Sequence, residues 1–132
     1  MGISLPVRGV NYSWRIMEPM YDLSLLKKLS NNDEVFIVDM INTFRRTAGP
    51  IVERMERLVA DKRYEALGRE AHKFIPGVSF LGIKHLEADL VKIEENSKTG
   101  SDLDQMEDLV IQVKTKVAEL IHAFEQEFNI NK

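Results

Sequence analysis

Hydrophobic residues recur every three or four positions from Tyr21 onward, which is the spacing of amphipathic helices. No stretch alternates for long with the two-residue period of a half-buried strand. A short first helix is predicted with Ser24 as its cap, and it carries Leu25, Leu26 and Leu29. The candidates for the N-cap of the next helix are Asn31, Asn32 and Asp33.

The second predicted helix is long. Its apolar residues share one face at about 100° per residue, and they are Phe36, Ile37, Met40, Ile41, Phe44, Ala48, Ile51, Met55 and Leu58. This phase continues through Gly49 and Pro50, which predicts one helix kinked near Pro50. A break into two helices there is the alternative. Val35 and Val38 lie outside this face, and they either pack on the first helix or form an apolar docking patch.

Three further helices follow a short turn at residues 61–63. The third carries Leu67, Ala71, Phe74, Val78 and Leu81 and ends at Gly82. The fourth carries Ile83, Leu86, Leu90 and Ile93. A loop is predicted over residues 96–100. The last helix carries Met106, Leu109, Val110, Val113, Val117, Leu120, Ile121, Phe124 and Phe128. Short connections between long amphipathic helices predict an all-α fold, an antiparallel four-helix bundle with a short extra N-terminal helix.

Residues 1–20 show neither the helical nor the strand period of apolar residues, and they contain Pro6, Gly9 and Pro19. We predict a leader over residues 1–20 that is irregular or partly disordered, with Trp14 and Ile16 as candidates to anchor it. Residues 21–132 are predicted to form a single helical bundle domain, because 132 residues suffice for one core.

Composition narrows the function. The chain has no cysteine, which excludes a disulfide framework, thiol catalysis and a cysteine-ligated metal. A net charge of −3 argues against a nucleic-acid partner. The chain has neither an apolar run of about 20 residues, as a membrane span needs, nor the pattern of a signal peptide. A cytoplasmic protein that does not bind a membrane is therefore expected.

The candidate chemistry lies at His72 in the third helix. Helical geometry places His72 about 140° from the centre of the apolar face, on the flank that faces solvent. Gly68 and Pro76, one turn away on either side, are short, so another protein could approach the imidazole closely. A neutral imidazole has a free nitrogen lone pair that can attack a phosphoryl group in line. The alternative is an ordinary solvated surface histidine.

The segment from residue 71 to 82 resembles the motif around the phosphorylated histidine in histidine phosphotransfer (HPt) domains of bacterial phosphorelays. The positions that match this motif are Ala71, His72, Phe74, Gly77, Leu81 and Gly82. Two positions depart from it, because Ile75 stands where the family has lysine and Pro76 where it has glycine. With the pattern of the flanking helices, the resemblance covers roughly Tyr21 to Phe128.

The resemblance implies a phosphorelay intermediate in which His72 accepts a phosphoryl group from a receiver-domain aspartate and passes it to another receiver. Its partners would be response-regulator receiver domains, a hybrid sensor histidine kinase, or both. The chain would be a monomer with no cofactor of its own, and Mg²⁺ would be bound by the partner receiver. The alternative is a non-catalytic helical interaction module that binds receiver domains or other signalling partners without efficient transfer.

Further residues are assigned around His72. The docking surface for the receiver is expected at Gly68, Ile75, Pro76 and Ser79. In the family the lysine replaced here by Ile75 helps to neutralise the phosphoryl group. The candidates to support that charge instead are Lys73, Lys84 and Arg69. Lys73 lies about 100° from His72 on the helix and does not simply replace the missing lysine.

Other kinds of site find no support in the sequence. Glu119 and His122 match one Glu-x-x-His pair of a di-iron bundle, but the chain lacks the second pair. No metal site is therefore predicted. His85 is interpreted as a surface residue near the start of the fourth helix. No glycine-rich phosphate loop is evident, so the chain is not expected to be a kinase itself.

Overall fold

The computed structural model describes residues 20–128, so most of the predicted leader, with Trp14 and Ile16, lies outside the described residues. Within residues 20–128 there is no strand, and the helices are α1 Ser24–Ser30, α2 Glu34–Ala60, α3 Tyr64–Phe80, α4 Lys84–Thr99 and α5 Met106–Glu127, with a 3₁₀ turn at Leu103–Gln105. Each of the four long helices packs against the next, and α5 packs against α2. Because the connections are short, neighbouring helices run antiparallel. The predicted four-helix bundle with a short extra helix is confirmed.

The first helix begins at Ser24, so the prediction that Ser24 is its cap is wrong; Leu23 holds the cap position, and its side chain forms no cap hydrogen bond. Ser24 is the first helical residue, and Asp22 Oδ1 accepts hydrogen bonds from the Ser24 hydroxyl at 2.6 Å and its N–H at 2.9 Å. These two bonds are the main causes that hold the pKa of Asp22 below its ordinary value. In α1 only Leu26 is fully buried, whereas Leu25 and Leu29 are exposed.

The second helix is continuous through Gly49 and Pro50, which excludes the break into two helices. Asp33 is its cap, as predicted, because its carboxylate accepts hydrogen bonds from the Val35 and Phe36 N–H groups. The buried face consists of Ile37, Ile41, Phe44, Ala48, Val52 and Met55. It differs from the predicted face at its start, where Phe36 is exposed. The interpretation that Val35 packs on α1 is wrong, since this side chain is 71% exposed.

The core lies between the four long helices and contains the apolar faces predicted for α3 and α4. All the predicted residues of these two faces are buried, namely Leu67, Ala71, Phe74, Val78, Leu81, Ile83, Leu86, Leu90 and Ile93. At its centre the Phe44 ring lies 6.0 Å from the Phe74 ring and 5.9 Å from the Phe124 ring, measured between centroids. Burying each such side chain contributes about 1.5–3 kcal/mol, so these contacts hold α2, α3 and α5 together.

The turn between α3 and α4 is set by Gly82. Its φ of 64° is in the left-handed region, and a Cβ atom there would meet the backbone of Asp22. The Asp22 N–H donates to the Leu81 carbonyl across the same contact. Glycine is thus required both by its φ and by the close approach of the segment before α1.

The predicted loop over residues 96–100 is wrong, because α4 continues to Thr99 and ends at Gly100, whose φ is 72°. Asn96 is buried in the last part of α4. The Ser97 hydroxyl donates to the Glu94 carbonyl at 2.7 Å, which satisfies it within the helix. Packing against α3 therefore overrides the local preference of these polar residues for a loop.

The helices α3 and α4 approach each other closely at Gly68. This glycine is buried, and a Cβ atom built on it would overlap the Oγ of Ser97 and lie 2.6 Å from its Cβ. The prediction that Gly68 belongs to an exposed docking surface is therefore corrected. Its missing side chain lets α4 approach α3, and α4 covers it.

We expect Gly68→Ala to destabilise the bundle by about 1–2 kcal/mol. The clash of the new methyl group with Ser97 should destabilise the fold more than the higher helix propensity of alanine stabilises it. Gly77→Ala is the matched control, since Gly77 is an exposed glycine of the same helix, and a Cβ atom there would meet nothing within 4 Å beyond its chain neighbours and the helix's own backbone. This control should stabilise the protein by up to about 1 kcal/mol. Urea unfolding of both variants measures the difference, and equal stabilities would contradict the packing argument.

Candidate functional site

The imidazole of His72 projects from α3 to the protein surface, and its side chain is 70% exposed. The position on the solvent-facing flank agrees with the helical geometry used above. Its Nδ1 atom lies 2.8 Å from Oε2 of Glu94 on α4. The ring is thus held from the neighbouring helix while most of its surface is accessible.

The contact between His72 and Glu94 follows from the packing of the two helices. Ser97 lies against Gly68, and because α3 and α4 are antiparallel, the turn of α4 before Ser97 lies beside the turn of α3 after Gly68. Glu94 is on that turn, and its side chain is only 16% exposed. The carboxylate therefore reaches the imidazole from a partly buried and restricted position.

Glu94 has a second cationic partner, Lys98, one turn further along α4. The Lys98 Nζ atom lies 3.1 Å from Oε2 of Glu94, the same oxygen that His72 contacts. The hydrogen bond from Lys98 is the largest cause that lowers the pKa of Glu94 from its ordinary 4.5; partial burial opposes it, and the hydrogen bond with His72 lowers it further. Glu94 is consequently ionised at neutral pH.

An ionised Glu94 determines which nitrogen of His72 carries the proton. A carboxylate only accepts hydrogen bonds, so His72 Nδ1 must be the donor in this contact. In the neutral imidazole, Nε2 then holds the lone pair. The contact with Glu94 thus leaves the unprotonated nitrogen on the other side of the ring, available to a reacting group.

An open groove of about 620 Å³ lies beside the imidazole, between α3 and α4. Its lining residues are Glu65, Gly68, Arg69, His72, Lys73, Glu94, Ser97 and Lys98. Among these described residues, three carry a positive charge and two a negative one. The lining thus has a small excess of positive charge next to His72, and the Glu94 carboxylate is already paired.

The docking residues predicted from the sequence have different surroundings. Pro76 and Ser79 are exposed on α3, one and two turns beyond His72. Ile75 is half-buried and packs against the core, so only part of its side chain faces solvent. Gly68 is buried, as described above. The structure therefore leaves Pro76 and Ser79 as the accessible members of the predicted surface.

The residues predicted to support the phosphoryl charge are also separated by the fold. Arg69 and Lys73 line the groove with His72, but the Lys73 ammonium lies 3.6 Å from the carboxylate of Glu70 on its own helix. Lys84 lies instead in a separate shallow depression on α4, with Lys92 among its neighbours. The structure does not place Lys84 beside His72.

Sequence reasoning missed Glu94 and Lys98. Their spacing of four residues is that of a helical ion pair, which was a usable signal. They were missed because residues 96–100 were assigned to a loop, which removed Lys98 from the helix. The opposition of Glu94 to His72 depends on the register between two helices, which the pattern of a single helix does not contain.

Neither a group of metal-ligating side chains nor a membrane-spanning helix is found in the part of the chain that the structure describes. Residues 20–128 contain no group of three or more histidine, aspartate or glutamate side chains arranged to hold a metal ion. His122 is exposed on α5, and His85 is half-buried at the start of α4, which corrects its interpretation as a surface residue. No helix in the described part combines the length and apolar character that crossing a membrane requires.

Comparison with known proteins agrees with the fold. No protein-family model matches the chain, and no curated protein matches it. The crystal structure of histidine-containing phosphotransfer protein B (HptB) from Pseudomonas aeruginosa PAO1 is similar, with a TM-score of 0.76 and 23% sequence identity. The similarity covers 86% of this chain and 98% of that chain. The chain therefore has the helical-bundle fold of a histidine-containing phosphotransfer protein.

The tautomer of His72 can be measured directly. In the wild type we expect ¹⁵N NMR to show neutral His72 protonated at Nδ1, because Glu94 accepts only there. In Glu94→Ala the ring should revert to a mixture of both tautomers. The exposed His122 is the internal reference and should be the same in both proteins. A wild-type His72 protonated mainly at Nε2 would contradict this geometry.

The lowered pKa of Glu94 also predicts a pH dependence of stability. Because the folded-state pKa lies below the ordinary 4.5, the stabilisation is present above pH 4.5 and is lost as the pH falls through the folded-state value. Glu94→Gln should therefore be less stable than the wild type at pH 7, by about 1 kcal/mol or less because its partners are exposed. Near pH 2 the two proteins should have similar stabilities in urea unfolding. An undiminished difference there would contradict the assignment.

Proposed function

We propose that this chain is a phosphorelay intermediate. His72 accepts a phosphoryl group from the phosphorylated aspartate of a receiver domain and passes it to another receiver. The observation that carries this proposal is the contact between His72 Nδ1 and Glu94, which leaves Nε2 unprotonated on an exposed ring. The similarity of the fold to a histidine-containing phosphotransfer protein supports it.

In the proposed transfer the lone pair of His72 Nε2 attacks the phosphorus atom in line. The Nε2–P bond forms while the bond between phosphorus and the aspartate oxygen breaks, and the aspartate leaves as a carboxylate. The proton stays on Nδ1, and the positive charge that develops on the ring is compensated by Glu94. The same steps in reverse pass the group to the aspartate of a second receiver.

Glu94 is a positioning residue in this scheme, because it contacts the ring and not the transferring group. The receiver supplies the Mg²⁺ that its aspartate requires, so the chain needs no cofactor of its own. The accessible surface formed by Pro76 and Ser79 on α3 would contact the receiver beside the transferring group. A monomer in the cytoplasm is sufficient for this role.

A second candidate function is a non-catalytic module that binds receivers without transferring a phosphoryl group. Ile75 favours it, since this half-buried apolar side chain stands where HPt domains have lysine. Such a module would bind a receiver through the same surface of α3 but would not become phosphorylated. Binding and labelling must therefore be measured on the same samples.

The test is incubation with a panel of purified receiver domains that carry a ³²P-phosphoryl group. The wild type should become labelled with an acid-labile, alkali-stable phosphoryl group, and His72→Gln should lose the label because it lacks the nucleophile. His122→Gln is the matched control on an exposed histidine of α5, and it should be labelled like the wild type.

Two results would contradict the proposal. Label that persists in His72→Gln would show that another residue is the acceptor. Receiver binding by the wild type without any label would favour the non-catalytic module. In that case Ile75→Lys, which restores the family residue, should create transfer while leaving binding intact.

A further inference from the structure

We infer that Lys98 of α4 provides the positive charge that stabilises a phosphoryl group on His72. In HPt domains a lysine on the same helix as the histidine provides this charge. This inference rests on the proposed function and names a further residue of its site. Lys98 would be a catalytic residue, since it would contact the transferring group. Nothing in the sequence pattern of α3 assigns it.

The need for such a charge is chemical. A phosphoryl group on a side chain carries about −1.5 to −2 charges near neutral pH, and its transfer is assisted mainly by positioning and by neutralising that charge. Ile75 offers no charge and is partly buried against the core. The site on α3 therefore lacks the cation that the family has one turn beyond the histidine.

The cations on α3 itself are poorly directed for this purpose. Arg69 lies one turn N-terminal to His72, whereas the family lysine lies one turn C-terminal to the histidine, so Arg69 is on the opposite side of the imidazole from that position. Lys73 lies about 100° around the helix, and its ammonium is 3.6 Å from Glu70. Both residues line the groove. In the described part of the chain, however, the ion pairs of Glu94 are with His72 and Lys98 and not with Arg69 or Lys73.

Lys98 approaches the imidazole from the opposite helix. It leans toward the N-terminus of α4, which brings its Nζ atom to 3.1 Å from Glu94 Oε2. Because His72 Nδ1 contacts that same oxygen at 2.8 Å, the ammonium lies on the Nδ1 side of the ring, and its flexible side chain must rotate to reach a phosphoryl group on Nε2. The packing of Gly68 against Ser97 holds this arrangement.

Lys98 can change partner at low cost. Its side chain is 71% exposed, and an exposed ion pair of this kind contributes little to stability. When Nε2 is phosphorylated, the ring with its Nδ1 proton is positive and pairs with Glu94. The ammonium of Lys98 then moves from the carboxylate to the more highly charged phosphoryl group.

The test uses phosphoramidate, a small phosphoryl donor that needs no receiver. The P–N bond of phosphoramidate breaks as ammonia leaves, and the bond between phosphorus and His72 Nε2 forms. We expect Lys98→Gln to lower the initial rate of His72 labelling about tenfold, which is less than the loss at a buried site because Lys98 is exposed. Lys98→Arg retains the charge and should recover most of the rate.

The matched control is Lys92→Gln. Lys92 is an exposed lysine of the same helix that lines the separate depression, so this variant loses the same charge outside the groove. Its labelling rate should equal that of the wild type. Equal rates for Lys98→Gln and the wild type would overturn the inference, and so would an equal decrease in Lys98→Gln and Lys92→Gln.

A second arm measures transfer from a ³²P-labelled receiver domain to the same variants. We expect Lys98→Gln to lower kcat with little change in KM, because the lysine acts on the transferring group. If Lys98→Gln reacts with phosphoramidate at the wild-type rate and transfer from receivers is intact, the inference about Lys98 is wrong and the proposed function stands. A Lys98-dependent phosphoramidate rate without any transfer from receivers would support Lys98 and contradict the proposed function.

Discussion

The close packing of α3 against α4 at Gly68 is the constraint on which the candidate site depends. Only a glycine leaves room there for Ser97, and the resulting contact fixes the register between the two helices. That register brings Glu94 to the imidazole of His72. The protonation state of the ring, the shape of the groove and the position of Lys98 all follow from it. A glycine without a functional group thus shapes the candidate site.

Much of the fold was predictable because its determinants are local. The apolar residues of α3 and α4 recur with the helical period, and all of those predicted are buried. Asp33 was recognised as a cap since its side chain bonds to N–H groups only two and three residues away. The position of His72 on an exposed flank also needed only the geometry of its own helix.

The rest depends on contacts between helices, which the pattern of one helix does not specify. Asn96 and Ser97 favour a loop by composition, but their packing against α3 keeps them helical. The same contact turned Gly68 from an expected surface residue into a buried one. Because Lys98 was assigned to a loop, its ion pair with Glu94 was not foreseen. The errors at residues 96–100, at Gly68 and at Lys98 thus have one physical origin.

All the groups that define the site belong to α3 and α4, consecutive helices joined by a short turn at Gly82. The other two long helices supply apolar faces to the core and no side chain to the groove. The molecule is therefore divided into a hairpin that carries the candidate site and a half that completes the core. Arg54 of α2 and Lys116 of α5 also form ion pairs with Glu70 and Asp89 of the hairpin. Substitutions in α2 and α5 that keep both the apolar faces and these two ion pairs leave the hairpin unchanged. Functional relatedness between such bundles should accordingly be judged from the residues of this hairpin, because identity over the whole chain mixes two halves under different constraints.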